Sequence, residues 1–383
     1  MVGVSVPSRL RKTFAALFVF GLLAAACSSN DNNGGTTATT GTGTTSGGGT
    51  TSGAGTTSGG GTTSGGGTTS GGGTSAPSKQ YTIGFTNPIA SNDQLHTLQE
   101  AITARAEALG DKVISVDDNL DVNKQISDID QLVTQGVDAI IVFPLDPKAI
   151  TPAVERAEAA GIKTIGINAT LGNTSATDAK PFDAAVNQGE EEMATGTAKF
   201  VCDKLGGKGN VLGIGLGVPV PTIEYQMGVM QDEVTKCGLK WLDRVDNPTD
   251  DAAGAQPVVE QALLRFPSIQ AIMAYNDPSA LGAVAAVKAS DQAGKVLITG
   301  ANGVALDQVK SGDIALSYDL LPWVQGVCYV NVITDILNGK QVPVTTTAPV
   351  QQILPDTVDQ VLPWDQGIQM VKSGQFTKCE APS

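Results

Sequence analysis

The sequence predicts an α/β fold made of two doubly wound, Rossmann-like lobes. Short apolar runs rich in β-branched residues alternate with amphipathic helical patterns, which is typical of parallel βαβ units. The alternation runs twice, with a break at residues 169–187. About 305 residues follow a Gly/Thr/Ser-rich N-terminus, which is enough chain for two lobes with separate cores.

The first series of elements begins at residue 81. Its predicted strands are YTIGFT (81–86), KVISVDD (112–118), DAIIVFP (138–144) and KTIGIN (163–168). Helices are predicted near 92–109, near 122–135 and over PKAITPAVERAEAAG. In that third segment Pro147 suits a first helical turn and Gly161 a C-terminal stop.

The second series follows the break and has the same character. Its predicted strands are NVLGIG (210–215), LKWLDRVD (239–246), SIQAIMA (268–274), KVLITG (295–300) and IALSYD (314–319). Its predicted helices lie near 188–205, 222–236, 251–265, 278–289 and 304–310. Ligands of doubly wound sheets bind beyond the carboxyl ends of strands, so we expect a site in a cleft between the lobes.

The N-terminus has the features of an export signal. Residues 1–26 combine a basic start with a short apolar run and small residues before Cys27. LAAAC resembles the lipobox of bacterial lipoproteins, which implies lipidation of Cys27 and a membrane anchor. Residues 27–78 are then a disordered Gly/Thr/Ser tether, in which TTSGGG recurs. The alternative is an ordinary secreted protein.

Charge and cysteine content narrow the function classes. The formal net charge of −14 argues against a nucleic-acid partner. Four cysteines remain after Cys27, and an even number in an exported protein suggests disulfides. Among three possible pairings we expect Cys202–Cys237 and Cys328–Cys379; free buried cysteines are the alternative. The spacing supports no metal site, and no cofactor is expected.

Amides, carboxylates and hydroxyl groups stand at or near the predicted strand ends. Asn is suited to a ligand with hydroxyls because it both donates and accepts hydrogen bonds. The candidate ligand-binding residues are Asn87, Asn168, Tyr225, Tyr275, Asn276, Asn302 and Asp319. For each residue taken alone, turn formation is the alternative explanation.

Within YNDPSALGAV (275–284), Asp277 before Pro278 is expected to cap the next helix, and Asn276 to contact the ligand. The pair Asp250–Asp251 is expected to cap the helix that follows it.

Catalysis has little support in the sequence. The single histidine, His96, falls in a predicted helix, and GxSxG, HExxH and P-loop motifs are absent from the sequence. GIGLG (213–217) lacks the spacing of a dinucleotide-binding turn. We therefore expect a protein that is not an enzyme.

Two segments resemble the ribose-type, class I periplasmic binding proteins of ABC transporters. They are QISDIDQLVTQGVDAIIVFPLDPKAITPAVERAEAAGIKTIGIN (125–168) and IQAIMAYNDPSALGAV (269–284). The resemblance covers residues 79–383 and implies two lobes joined by a three-crossing hinge. It places 79–185 and 322–350 in the first lobe, and 186–320 and 351–383 in the second.

The resemblance also implies roles for individual residues. Asn276 matches an Asn that binds sugar hydroxyls, Asn302 stands where Asp is common, and Asn168 stands where an Asp–Arg pair is common. The stretch SNDQ (91–94) replaces the usual aromatic residues, which makes Asn92 and Asp93 candidates. Asp319 lies beside Leu320, near a usual Gln. The expected pocket thus lacks the family's charged groups.

These observations predict a lipid-anchored receptor for a neutral hydroxylated solute, a sugar or polyol. It would act as a monomer and deliver the solute to an ABC importer. The alternative is a sensor of the same fold whose ligand is a nucleoside, an amide or a signalling molecule. A secreted enzyme is the third hypothesis.

Overall fold

The computed structural model describes residues 79–173 and 176–382. The expected signal segment 1–26, the lipidation site Cys27 and the tether 27–78 lie outside these residues.

The described chain alternates strands and helices as the sequence predicts. Its strands are β1 (Thr82–Asn87), β2 (Lys112–Asp117), β3 (Ala139–Val142), β4 (Lys163–Ile167), β5 (Ala184–Asn187), β6 (Asn210–Leu216), β7 (Lys240–Asn247), β8 (Ala271–Ala274), β9 (Leu297–Thr299), β10 (Ser317–Asp319), β11 (Thr345–Thr347) and β12 (Gln351–Ile353). Its α-helices are α1 (Asp93–Leu109), α2 (Val122–Gln135), α3 (Pro147–Ala159), α4 (Glu190–Leu205), α5 (Pro221–Lys236), α6 (Ala252–Arg265), α7 (Asp277–Lys288), α8 (Leu306–Ser311), α9 (Pro322–Leu337) and α10 (Trp364–Lys372). None of these helices is both long and apolar enough to cross a bilayer.

The first lobe is built on a parallel sheet with the strand order β11-β5-β4-β3-β1-β2. Both faces of this sheet are covered, so successive residues of a central strand enter different cores. On β3, Ile141 packs in the core with α1 and α9, and Ile140 packs in the core with α2 and α3. Residue Gly161 ends α3 with a positive φ of 82°, as expected of a C-terminal stop.

The second lobe repeats this design with the parallel order β7-β6-β8-β9. Leu212 and Ile214 of β6 pack in a core shared with α6 and α7, whereas Val211 packs in a core shared with α4 and α5. The carboxyl ends of both sheets deliver the loops that form the cleft. The expected fold class, two doubly wound α/β lobes, is confirmed.

The hinge differs from the expected three crossings, because the chain passes between the lobes a fourth time. Val358 packs in the core of the second lobe, but Ile368 and Val371 of α10 pack in the core of the first. Only about the first ten residues of the expected second-lobe segment 351–383 therefore belong to that lobe. The reason is packing: the C-terminal segment covers the buried Trp323, with Phe376 at a ring-centroid distance of 4.7 Å.

Both expected disulfides are present in the structure. Cys202 of α4 joins Cys237, which follows α5, with a Cα–Cα distance of 6.2 Å. Cys328 of α9 joins Cys379 with a Cα–Cα distance of 4.7 Å, which ties the C-terminal segment to the first lobe.

Candidate functional site

A cavity of about 120 Å³ lies between the two lobes at the carboxyl ends of their strands. The first lobe contributes the loop after β1, the start of α1 and the end of β3; the second contributes the starts of α4 and α5 and the ends of β6 and β8. This is the position that doubly wound sheets predict for a ligand site. The predicted residues Asn92, Tyr275, Asn276 and Asn302 line it.

Asp250 is the centre of the polar side of this cavity. Its Oδ1 accepts hydrogen bonds from the Tyr275 hydroxyl and from Asn276 Nδ2, the latter at 2.7 Å. Its Oδ2 accepts one from Asn92 Nδ2 at 3.3 Å. Asn92 belongs to the first lobe, so this carboxylate connects the lobes across the cleft.

The prediction that Asp250 and Asp251 both cap a helix is wrong for Asp250. Asp251 alone caps α6, accepting from Gly254 N at 2.7 Å. Asp250 has a positive φ of 59°, a conformation that Asp tolerates better than most residues. That turn directs its side chain to the cavity instead of the helix.

Asn276 and Asp277 also divide their roles differently from the sequence-based expectation. The cap of α7 is Asn276, whose Oδ1 accepts from Ser279 N at 2.9 Å while its Nδ2 reaches Asp250. Asp277 is the first helical residue and is fully buried. Its oxygens accept hydrogen bonds from Val304 N, Ala305 N and Ser317 Oγ at 2.9, 3.1 and 2.7 Å, respectively.

Tyr275 and Asn302 are two further cavity residues that were predicted from their positions at strand ends. Burial raises the pKa of the Tyr275 phenol well above its ordinary value, and the Asp250 carboxylate adds to this shift. The phenol therefore stays a neutral donor. Asn302 adopts a φ of 92° and its backbone N donates to Tyr318 O, which leaves its side chain at the cavity wall.

Two predicted residues, Asn168 and Tyr225, line a neighbouring depression instead of this cavity. Asn168 Nδ2 donates to Gln188 Oε1 at 3.0 Å and to Glu190 Oε1 at 2.8 Å, and Asn168 Oδ1 accepts from Gln188 N at 2.8 Å. These contacts hold the first crossing between the lobes. Because both ends of the amide are engaged, Asn168 has a structural role here.

The remaining predicted residues lie away from the cavity. Asn87 is buried and donates to Gln99 Oε1 at 3.1 Å, while Asp93 is exposed in the first turn of α1. Asp319 is buried and accepts from Trp364 Nε1 at 3.0 Å and from Leu321 N at 2.7 Å. Burial raises the pKa of Asp319 to about 7.

Gln94 and Glu190 are polar residues of the cavity that were not predicted. Gln94 lies in the first turn of α1 and is 6% exposed; Glu190 begins α4 and is 3% exposed. Burial raises the pKa of Glu190 to about 7, although Asn168 donates to it. The sequence gives little signal for Glu190, because three successive Glu at a helix start are usually exposed and favoured there by the helix dipole.

The other walls are apolar. They include Leu95 and Phe143 from the first lobe and Met193, Leu216 and Ile223 from the second. Among the described residues that line the cavity, none is Lys, Arg or His. The described lining thus carries no cationic group, but it contains two acids, Asp250 and Glu190.

Stability is expected to fall as pH rises from 5 to 8.5. Burial raises the pKa of Asp118 to about 8, of Glu190 and Asp319 to about 7, and of Asp277 to about 6. Carboxyls with a raised folded-state pKa stabilise the fold fully below about pH 4, and this contribution is lost as pH rises through 6 to 8.

Urea unfolding at several pH values measures this slope. Glu190→Gln and Asp319→Asn should each reduce it, because the amide does not ionise. A free energy of unfolding that rises between pH 5 and 8.5 would contradict the assignment.

Comparison with known proteins agrees with this architecture. Residues 83–341 match the family model described as a periplasmic binding protein domain. The chain is 32% identical over 279 residues to the ribose import binding protein of Bacillus subtilis, covering 72% of this chain and 88% of the relative. It is 33% identical over 223 residues to a xylitol-binding protein of Mycolicibacterium smegmatis, covering 56% and 60%.

Solved structures show the same fold. A solute-binding protein from Actinobacillus succinogenes with bound D-allose matches with a TM-score of 0.66 and 24% identity, covering 74% of this chain and 100% of that one. One from Bacillus halodurans with bound myo-inositol matches with a TM-score of 0.67 and 22% identity, covering 75% and 98%. By its sequence match and its two-lobed architecture, the chain belongs to the periplasmic binding protein family.

Proposed function

We propose that this protein is a lipid-anchored, extracytoplasmic binding protein that captures a sugar or polyol and delivers it to an ABC importer. The observation that carries the proposal is the cavity between the lobes, where amides, a phenol and carboxylates line one small space. The named ligands of its relatives, among them ribose, xylitol, D-allose and myo-inositol, support this ligand class.

Binding would proceed by closure of the lobes. A hydroxyl group can donate to a carboxylate oxygen and accept from an amide nitrogen, so Asp250 and Asn302 suit opposite sides of one polyol. The contact between Asn92 and Asp250 forms only when the lobes approach each other. Ligand contacts made in the closed form alone then supply the free energy of closure.

The relatives are transporter binding proteins, and we propose the same non-enzymatic role, as a monomer. The described residues that line the cavity include no histidine, cysteine or serine that could act as a base or nucleophile. A tether of about 50 residues after Cys27 has an r.m.s. reach of roughly 40 Å, which would let the domain move between a membrane anchor and a permease. Release of a Cys27→Ala variant into the soluble fraction would test the anchor.

Calorimetric titration of the purified protein against pentoses, hexoses and their alditols tests the ligand class. Mass spectrometry of the solute that copurifies gives an independent answer. Saturable binding of at least one neutral polyol or sugar, or of a close derivative, is expected. Binding of nucleosides or amides, with no response to any sugar-like compound, would instead favour a sensor of the same fold.

A further inference from the structure

The described residues that line the cavity include acids but no bases. The acidic side chains that line it are Asp250 and Glu190, and no described lining residue carries a positive charge. An anionic solute would approach two carboxylates with no cation to compensate, which is unfavourable at low dielectric. This lining therefore disfavours sugar acids and phosphorylated sugars as ligands.

The two carboxyl groups differ in whether all their oxygens have hydrogen-bond donors. Asp250 accepts three hydrogen bonds, from Tyr275, Asn276 and Asn92, so both of its oxygens already have donors within the protein. Glu190 Oε1 accepts from Asn168, but its buried Oε2 has no partner among the described residues. A buried carboxylate oxygen without a donor costs free energy, so Oε2 is the atom that a ligand would satisfy.

Gln94, in the first lobe, has a hydrogen-bond donor that lacks an acceptor. Its Nε2 is buried and also has no partner among the residues the structure describes. An amide nitrogen only donates, so it requires an acceptor such as a hydroxyl oxygen. The cavity thus offers an unused donor on α1 and an unused carboxyl oxygen on α4.

We propose that the solute is an amino-substituted sugar or polyol, whose protonated amine binds Glu190 and whose hydroxyl accepts from Gln94. This inference rests on the proposed function, since it specifies the ligand of the same cavity. An ammonium supplies Glu190 with both a donor and an opposite charge, whereas a hydroxyl supplies the donor alone. The apolar walls formed by Leu95, Phe143 and Met193 also suit a ligand with fewer hydroxyls than a simple sugar.

Matched pairs of compounds test the proposal by calorimetry at pH 7. The pairs are 2-amino-1,3-propanediol with glycerol, D-glucosamine with D-glucose, and glucamine with sorbitol. N-acetyl-D-glucosamine and D-gluconate serve as neutral and anionic controls. In at least one pair, the amine should bind ten-fold or more tightly than its parent, and D-gluconate should show no binding.

Variants separate the charge effect from general damage. Glu190→Gln keeps the shape of the side chain and should weaken the amine at least 30-fold but the parent less than three-fold. Glu192→Gln, an exposed residue of the same helix, should change neither affinity. Gln94→Met should weaken both compounds equally, because Gln94 is assigned to the hydroxyl that they share.

Each outcome decides between the two proposals. Parents that bind as tightly as their amines would overturn the amine assignment and leave the proposed function intact. An amine preference that survives in Glu190→Gln would overturn the role of Glu190. If no sugar, polyol or amino derivative binds, both the proposed function and this inference fail.

Discussion

Replacing Asp250 with alanine is expected to weaken solute binding by about 100-fold or more, and to lower the melting temperature less than Asp277→Ala does, because the donors left behind line a cavity that water can enter. The Asp250 carboxylate orients the Tyr275 hydroxyl and the Asn276 amide and accepts the cross-lobe bond from Asn92. Of these bonds only the one from Asn92 joins the two lobes, and a solute hydroxyl that donates to the carboxylate adds a second bond to the closed form. Hydrogen bonds to a charged group contribute about 1.5–3 kcal/mol each, so losing both costs the closed state about 3 kcal/mol or more, which is a factor of about 100. Calorimetry with the solute from the titration panel measures the loss.

The neighbouring residue provides the matched control. Asp251 caps α6 through Gly254 N and lies outside the cavity. Asp251→Ala should lower the free energy of unfolding by about 1 kcal/mol and leave affinity unchanged. If Asp251→Ala loses binding and Asp250→Ala retains it, the two carboxylates have been assigned the wrong way round.

Long, periodic elements could be predicted from the sequence because their pattern reports which face is buried. Residues 122–135 form α2 with the predicted bounds, and residues 93–109 form α1 within one residue. The strands that were missed, β5, β11 and β12, have three or four residues each. So short a run has too few alternations to indicate a strand, and its pairing depends on a sheet edge formed by distant residues.

The rule that ligands bind beyond strand ends located only part of the site. It found Tyr275, Asn276 and Asn302, which lie within three residues of the ends of β8 and β9. It missed Gln94 and Glu190 because these lie in the first turns of helices, which face the cleft only after the lobes are assembled. The same rule wrongly favoured Asn87, whose amide is consumed by contacts within the first lobe.

The lobe to which the C-terminal segment belongs could not be predicted from the sequence, for a different reason. The helix α10 has only nine residues, and nothing in its composition indicates which lobe it covers. Its position follows from contacts with the buried Trp323 and from the disulfide to Cys328. Lobe membership is decided by such long-range packing, which a pattern of local periodicity does not contain.

Replacing Asp277 with alanine is expected to lower the free energy of unfolding by about 4 kcal/mol. The Asp277 carboxylate is fully buried and accepts from two backbone amides, Val304 N and Ala305 N, and from the Ser317 hydroxyl. Removing the carboxylate leaves these three donors without their acceptor, and each such donor costs about 1–3 kcal/mol. Urea unfolding at pH 5 and pH 8 measures the change.

The pH dependence of this loss and a neighbouring variant test its cause. Burial raises the pKa of Asp277 to about 6, so the wild-type residue stabilises the fold more at pH 5 than at pH 8, and the loss should be larger at pH 5.

Asn276→Ala is the neighbouring variant. It removes the cap of α7, which should lower the free energy of unfolding by about 1 kcal/mol. It also removes a donor to Asp250 and should therefore abolish binding. A loss of only 1 kcal/mol in Asp277→Ala would mean that the loop at residues 303–305 keeps its place without the carboxylate. Asp277 would then be an ordinary first-turn residue, and the anchoring of that loop, which carries Asn302 to the cavity, would have to come from the packing of Ala305 and Val309 instead.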